Sequence, residues 1–266
     1  MSYQAMHTAA SGMEANMFRL DNLANNIANA GTTAFKSQRT NFEDLFYETV
    51  KVPGTPDPTG NLTPVGVLVG LGTKVQSTEL DFTQGAIEQT GQDLDVAIVG
   101  DGFFRVTDGV DTFYTRAGNF SVNSQGQIVV ASADRGRILD EGFTIPPDAQ
   151  QIAIGSDGTI TVQLPGQQDL TQVGQLQLAR FINPQGLIQR GENLYAESAA
   201  SGPPLLSNPG LEGAGQIRQG FLEASNVEPV RELVDLIKTQ RNVELNSQVL
   251  QAGDTMLQLL AQLRPF

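Results

Sequence analysis

The sequence contains no cysteine and no tryptophan, and only one histidine among its 266 residues. Disulfides and thiolate metal sites are therefore excluded, and neither a Ser-His-Asp triad nor a multi-histidine metal site can form within one chain. The single histidine, His7, stands at the start of a predicted helix, where we expect it on a surface or an interface. We predict no catalytic centre, no bound metal and no cofactor.

Charged residues are also scarce, and cations are the scarcest. Lysine and arginine total 16 against 29 aspartates and glutamates, which gives a formal net charge of −13. So few cations argue against nucleic acid and against anionic membrane surfaces as partners. All charged side chains together make up 17% of the chain, against roughly 25% in a typical soluble domain. Either the surface is neutral and polar, or neighbouring copies cover much of it.

Long hydrophobic runs are missing as well. No apolar stretch approaches the ~20 residues of a membrane-spanning helix. The N-terminus lacks the basic region and the continuous apolar region of a secretory signal. If the protein leaves the cytoplasm, we expect a route without a cleaved signal peptide.

Residues 1 to about 30 have the periodicity of a helix, and Gly31 follows as a helix stop. The apolar residues form two lines of a heptad repeat: Tyr3, Ala10, Met17 and Ala24 in one, and Met6, Met13, Leu20 and Ile27 in the other. Only Glu14, Arg19 and Asp21 are charged between residues 2 and 30. We therefore expect this helix to pack closely on several sides.

The periodicity of residues from about 226 to 264 predicts a second, longer helix, with Ser225 and Asn226 as candidate N-caps. Its apolar residues also form two lines: Leu245, Val249, Ala252, Met256, Leu259 and Leu263 in the first, and Leu236, Val243, Leu250 and Leu257 in the second. One partner helix cannot cover both lines. Other subunits, or a domain that this sequence does not contain, must therefore bury the distal half of the helix.

The region between the helices predicts β structure. Turn signals at Asp108-Gly109, Gln125-Gly126, Asp157-Gly158 and Gln185-Gly186 separate short β-favouring runs, and residues 53–60 are rich in proline and glycine. The predicted fold class is α+β. The long terminal helices, in residues 1–35 and 225–266, would pair as a coiled-coil-like domain. Residues 36–92 would form an extended connector or hairpin with the Pro/Gly-rich insertion. Residues 93–224 would form a β-rich outer domain.

Four segments resemble the bacterial flagellar basal-body rod and hook family: 23–36, 95–104, 114–120 and 225–247. The motif residues are Asn25, Asn26, Asn29, Phe35, Gly100, Gly102, Phe103, Phe104, Ser225, Asn226, Gln240 and Arg241. Matches extend from residue 9 to about 258, nearly the whole chain. Residues 42–49, which lead into the insertion, and 173–195 are similar to the distal rod type. A proximal rod or hook-like paralogue is the alternative.

The resemblance implies a structural subunit that polymerises into a rigid hollow shaft, transmits torque from motor to hook and lets exported subunits pass. The apolar lines of both helices would then be subunit interfaces. Implied partners are copies of the chain, proximal rod subunits, hook or hook-cap proteins, the P- and L-ring bushings and the flagellar export apparatus. The implied location is a periplasm-spanning rod that reaches the outer membrane. A secreted β-domain enzyme or carbohydrate-binding module is the alternative of another class, but the sequence offers no cluster of polar groups for it.

Overall fold

A computed structural model describes residues 2–56, 61–132, 135–139, 142–166 and 170–262 of the chain. Helix α1 spans Ser2–Ala28 and helix α2 spans Pro229–Gln262, with strands β1 to β20 between them. The predicted α+β class is therefore confirmed. Leu263, a member of the first apolar line of the second helix, and residues 57–60 of the insertion lie outside the described residues.

The chain forms two compact units. Unit 1 consists of Met1–Ala28, Gln38–Leu80 and Glu228–Phe266, and unit 2 of Asn29–Ser37 and Asp81–Val227. The boundaries of these units differ from those of the three predicted segments. The functional division into those segments stays a prediction.

Unit 1 combines the two helices with two antiparallel strand pairs. Its strands are β1 Gln38–Asp44, β2 Tyr47–Lys51, β3 Val67–Gly70 and β4 Thr73–Leu80. Strand β1 pairs with β4, and β2 pairs with β3. Helix α1 is tied to this strand layer because Asn22 Nδ2 donates to Thr40 Oγ1 at 2.6 Å, and Ser11 Oγ accepts from the Thr73 amide at 3.3 Å.

Helices α1 and α2 run antiparallel within unit 1. At one end Asn26 Nδ2 lies 3.4 Å from Glu232 Oε2. Further along, a Cβ at Gly12 would lie 3.1 Å from Asn246 Nδ2, and a Cβ at Gly253 would lie 2.7 Å from Met6. The two glycines thus mark places where the helices approach closely. Whether the pair has coiled-coil geometry stays a prediction.

Unit 2 is built from antiparallel strands. They are β5 Ile87–Gln89, β6 Val96–Val99, β7 Phe103–Thr107, β8 Thr112–Thr115, β9 Phe120–Val122, β10 Ile128–Val130, β11 Ile138–Leu139, β12 Gln151–Ile154, β13 Thr159–Gln163, β14 Thr171–Gln175, β15 Leu178–Arg180, β16 Ile188–Gly191, β17 Leu194–Ala196, β18 Leu205–Ser207, β19 Gln216–Gln219 and β20 Phe221–Glu223. The largest sheet has the order β16-β17-β8-β7-β11-β10-β9, and β15 pairs with β7 and β18. Strands β12, β13 and β14 form a second sheet, and two further pairs join β19 to β6 and β20 to β5.

The core of unit 2 comes from the inward positions of these strands. Val96, Ile98, Phe104, Val106 and Leu178 are all fully buried within one apolar cluster. Three of the predicted turns, at Asp108-Gly109, Gln125-Gly126 and Asp157-Gly158, join paired strands as expected. The fourth, Gln185-Gly186, lies instead in a 3-10 turn between β15 and β16, which do not pair with each other.

The predicted N-cap of the second helix is wrong. Helix α2 begins only at Pro229. The Asn226 side chain instead accepts a hydrogen bond from the Ser37 amide at 2.7 Å and donates to the Asp81 carbonyl at 2.8 Å. Ser225 Oγ accepts from the Val227 amide at 3.2 Å, a local turn bond. Both side chains are thus used within unit 2.

Candidate assembly interface

The two heptad lines of α1 differ in exposure. Met6, Met13, Leu20 and Ile27 are half-buried, whereas Tyr3, Ala10, Met17 and Ala24 are exposed. Tyr3 is 78% exposed and Met17 is 54% exposed, which is unusual for large apolar side chains in one row. The most buried residues of the helix are Ala9, Ala15, Leu23 and Asn26, none of which is in either heptad line. A single chain therefore leaves one apolar line of α1 open.

Helix α2 shows the same division. Leu236, Val243 and Leu250 are half-buried, and they share the α1-facing side of the helix with Glu232, Asn246 and Gly253, since residues four apart lie on one face. The first line is exposed: Leu245, Val249, Ala252, Met256 and Leu259. Leu245 is 58% exposed and Met256 is 59% exposed. Leu257, the last residue of the second line, is also exposed. One neighbour helix covers one of the two lines.

The hairpin of β2 and β3 presents a third open apolar surface in unit 1. Its exposed large apolar side chains are Phe46, Tyr47, Val50, Val52, Leu62, Val65, Val67 and Leu68. A two-stranded hairpin is at best marginally stable alone in water. Exposed apolar patches of this kind are typical of interaction sites.

The side chains of two motif asparagines form hydrogen bonds with backbone groups of the chain. Asn26 is buried, and its side-chain amide donates to the Gln38 carbonyl at 3.0 Å and accepts from the Gln38 amide at 2.9 Å. This paired contact satisfies both the N–H and the C=O of Gln38. Asn226 accepts a hydrogen bond from the amide of Ser37, the preceding residue, and its Nδ2 donates to the Asp81 carbonyl instead. The two asparagines therefore fix consecutive residues of the chain just before and at the start of β1.

The central motif lies in the core of unit 2. Gly100 and Gly102 have φ angles of 107° and 143°, where a side chain would be strained. Phe104 packs edge-to-face on Phe120 at 5.1 Å between ring centroids. Phe103 contacts the rings of Phe82, Phe181 and Tyr195 in the same manner. These motif residues serve the packing of the fold.

The other motif residues are not brought together. Asn25, Gln240 and Arg241 are exposed, and Phe35 is half-buried. Arg241 pairs with Glu244 along the surface of α2 at 3.3 Å. Asn29 Oδ1 accepts from Thr32 Oγ1 at 3.1 Å in the turn after α1.

A buried ionic network in unit 2 was not predicted. Glu223 binds Lys36 Nζ through Oε1 at 2.6 Å and Arg116 Nε through Oε2 at 2.8 Å. The side chains of Lys36 and Glu223 are 0% exposed, and that of Arg116 is 4% exposed. The signal in the sequence was one cation in each of two otherwise uncharged motif segments: Lys36 in 23–36 and Arg116 in 114–120. Their common carboxylate partner lies far away in the chain.

Backbone groups complete this network. Arg116 donates to the carbonyls of Gly102 at 3.0 Å and Gly100 at 2.9 Å. Lys36 Nζ donates to the Thr83 carbonyl at 2.7 Å, and the Gly85 amide donates to Glu223 Oε1 at 3.0 Å. Buried charges are tolerated when they are paired and hydrogen-bonded in this way.

Burial and neighbouring charge act against each other in this network. Burial is the largest influence on the pKa of Lys36 and lowers it, and the attraction of Glu223 offsets only part of that effect. Burial alone would raise the pKa of the Glu223 carboxyl. The charges of Arg116 and Lys36 outweigh it, so that the pKa of Glu223 lies below its usual range. At neutral pH the carboxylate is therefore ionised between its two cations.

Among the described residues, no three His, Asp or Glu side chains lie close enough together to hold a metal ion. Neither α1 nor α2, over the residues described, contains a stretch apolar enough to cross a bilayer.

Comparison with known proteins agrees with the resemblance in the motifs. Residues 6–36 match the flagella basal body rod protein family, residues 97–162 the FlgE/F/G hook protein D1 domain, and residues 218–263 the FlgEFG basal body rod C-terminal domain. The FlgG rod protein of Caulobacter vibrioides is 45% identical over 263 residues, covering 98% of this chain and 99% of that protein. The chain belongs to the FlgG family of flagellar basal-body rod proteins.

Other relatives support the same assignment. FlgG of Borreliella burgdorferi is 40% identical over 264 residues, covering 98% of each chain. The FlgF rod protein of Caulobacter vibrioides is 36% identical over 228 residues, covering 85% of this chain. The FlgG family is structural, and this FlgG-type chain is a structural subunit of the flagellar distal rod, located in the basal body. It assembles into the rod with other flagellar components.

The ionic network joins the three matched segments of this FlgG-type chain. Lys36 ends the first segment, Arg116 lies in the second and Glu223 in the third. The network therefore ties together the parts of the chain that match three separate domain models of this family.

Proposed function

We propose that the chain polymerises into a rigid, hollow distal rod through the open apolar lines of α1 and α2. The shaft would transmit torque from the motor to the hook and let exported subunits pass. In this proposal residues 1–35 and 225–266 are the polymerisation domain, 36–92 the connector with the rod-specific insertion and 93–224 the outer domain. The observation that carries it is the row of exposed apolar side chains along each helix.

The positions of the two rows favour a polymer over a closed dimer. On α2 the open row lies away from the side that meets α1. On α1 the open row lies beside the half-buried row that begins with Met6, which packs at Gly253 of α2. Two different surfaces of the same helix pair are thus left uncovered. A contact between different patches is heterologous, and repeated heterologous contacts give rings or helical filaments. If the open row of α1 in one copy packs on the open row of α2 in the next copy, both surfaces are covered.

The energy available from these rows is large enough to matter. Full burial of a Leu or Met side chain contributes roughly 1.5–3 kcal/mol. Met17, Leu245, Val249, Met256 and Leu259 are about half exposed in the single chain, so that each adds about half of that amount when assembly buries it. Their sum of about 4–7.5 kcal/mol offsets the lower part of the entropy cost of association, which amounts to roughly 4–15 kcal/mol. Dense packing of such rows would also make the shaft stiff.

The β2–β3 hairpin fits the same proposal. Its exposed apolar side chains would contact neighbouring subunits and keep the shaft straight. We further propose that α1 and α2 pair as a coiled-coil-like unit, with Gly12 and Gly253 allowing their close approach.

We also propose which flagellar components the rod contacts and where it lies in the cell envelope. Proximal rod subunits and hook or hook-cap proteins would meet the ends of the rod, and the P- and L-ring bushings would surround it. The rod would cross the periplasm towards the outer membrane, and its subunits would pass through the flagellar export apparatus. We propose no catalytic role.

Leu245→Asp tests the proposal in the full-length chain. It places a charge in the open row of α2, so that polymers should be lost while the subunit stays folded. Val110→Asp is the matched control, because Val110 is 91% exposed in unit 2 and lies outside both helices. Sedimentation and electron microscopy measure the polymers, and circular dichroism measures the fold. Normal rods from Leu245→Asp would contradict the proposal.

A further inference from the structure

The Asp and Glu side chains of α1 lie on its open face. Glu14 and Asp21 are both exposed and stand seven residues apart, and the exposed His7 stands seven residues before Glu14. The one arginine of the helix, Arg19, is half-buried. At 100° per residue, Glu14 and Asp21 lie beside the open row that contains Ala10 and Met17. These two carboxylates form the acidic edge of α1.

The open face of α2 carries basic groups in its first half. Arg231 and Lys238 are both exposed and also stand seven residues apart. They occupy the same heptad position as Leu245, so that the exposed apolar row of α2 continues into them. Arg231 and Lys238 form the basic edge of α2.

Carboxylates on α2 do not remove this basic character. Asp235, which pairs with Lys238 at 3.1 Å, is half-buried and lies towards the α1 side. Glu244 is exposed and pairs with Arg241, an exposed guanidinium that adds to the basic edge.

Among the described residues, Lys238 is the one of these four groups that has an ionic partner in the single chain, Asp235 of its own helix. Within the described ranges of the chain, Glu14, Asp21 and Arg231 make no ion pair. The antiparallel packing brings Gly12 beside Asn246. Glu14 is therefore level with Glu244 of its own α2, another acid, and its own helix pair offers it no cation.

We propose that the acidic edge of α1 binds the basic edge of α2 of a second copy and selects that pairing. The inference rests on the proposed polymerisation and names the contact that directs it. Seven residues span about 10.5 Å on either helix, so that both carboxylates can face both cations at once. Charges beside an apolar seam set partner and orientation in helical assemblies.

Electrostatics explains why such a contact is needed. Copies with a net charge of −13 repel one another. Complementary edges replace part of that repulsion by attraction where the apolar rows must meet. Such complementarity acts on association rate and specificity more than on affinity, and salt screens it.

Charge reversal in the full-length chain tests the proposal. One variant combines Glu14→Lys with Asp21→Lys, a second combines Arg231→Glu with Lys238→Glu, and a third carries all four substitutions. Glu88→Lys with Asp93→Lys is the control, because both residues are exposed in unit 2 and the net charge changes as in the first variant. Light scattering follows polymerisation at low and high salt, and circular dichroism checks the fold.

At low salt each reversed edge should slow polymerisation at least about tenfold relative to the control, and the fourfold variant should return to within about threefold of the native rate. At high salt the differences should shrink. Equal rates for the reversed edges and the control would overturn the proposal, and so would a fourfold variant that does not recover. Leu245→Asp distinguishes failure of the charged-edge contact from failure of the proposed polymerisation. If Leu245→Asp blocks rods while the reversed edges have no effect, only the charged-edge contact is refuted. If Leu245→Asp polymerises normally, the proposed function is refuted.

Discussion

Glu223→Gln should destabilise unit 2 more than any other single carboxylate change in the described part of that unit. The substitution keeps the shape of the side chain but leaves Lys36 and Arg116 buried without their counter-charge. Breaking a buried ion pair by removing one partner costs about 3–5 kcal/mol. That is a large share of a stability that typically amounts to about 5–15 kcal/mol. With a urea m-value of about 2 kcal/mol/M, the unfolding midpoint should fall by about 1.5–2.5 M.

Tyrosine signals make the effect measurable. Tyr114 and Tyr195 are buried in unit 2, whereas Tyr3 and Tyr47 are exposed in unit 1. Near-ultraviolet circular dichroism therefore reports mainly on unit 2 during urea unfolding. It can be compared with the helical signal of α1 and α2 in the far ultraviolet.

Two further variants complete this experiment. Glu88→Gln, on the strand that pairs with β20, is an exposed control and should change stability by less than about 0.5 kcal/mol. Lys36→Met combined with Glu223→Gln removes one of the two uncompensated cations and should recover part of the loss. A loss below about 1 kcal/mol for Glu223→Gln, or no recovery in the double variant, would refute the argument that ionic pairing holds these segments.

Two other predictions follow from the same unit. The pKa of Glu223 lies below its unfolded value of 4.5, so its stabilisation is present above that pH and is lost as the pH falls through the lower folded pKa. The stability difference between the native chain and Glu223→Gln should therefore shrink under acid unfolding, and a constant difference down to pH 2 would contradict this assignment. Gly118→Ala should cost about 1–3 kcal/mol or more, because a Cβ there would lie 1.6 Å from the Val96 carbonyl oxygen. Gly136→Ala, with nothing within 4 Å, is the control for thermal unfolding, and equal midpoints for the two variants would count against the tight packing of β6.

Both helices and most turns could be predicted because their signals are local. A heptad of apolar residues or an Asp-Gly pair needs only a few neighbouring positions. The ionic network could not be predicted in that way. Lys36 and Glu223 are 187 residues apart in sequence, and Arg116 and Glu223 are 107 apart, so only the tertiary fold joins them.

The helix start shows a different limit. Ser225 and Asn226 have the chemistry of N-caps, but the Asn226 amide finds partners in two other backbone segments of unit 2, and α2 begins at Pro229. Periodicity also identified two apolar lines on each helix without telling which one meets the other helix. That choice depends on Gly12 and Gly253, where the missing side chains let one face approach.

The central claim is that the open apolar rows of α1 and α2 are the contacts between subunits. A side-chain-resolution reconstruction of the assembled rod tests it most directly. Tyr3, Met17, Leu245 and Met256, which are exposed in the single chain, should be buried against neighbouring copies in the rod. A rod in which these side chains stay in contact with solvent, while only unit 2 joins the subunits, would contradict it.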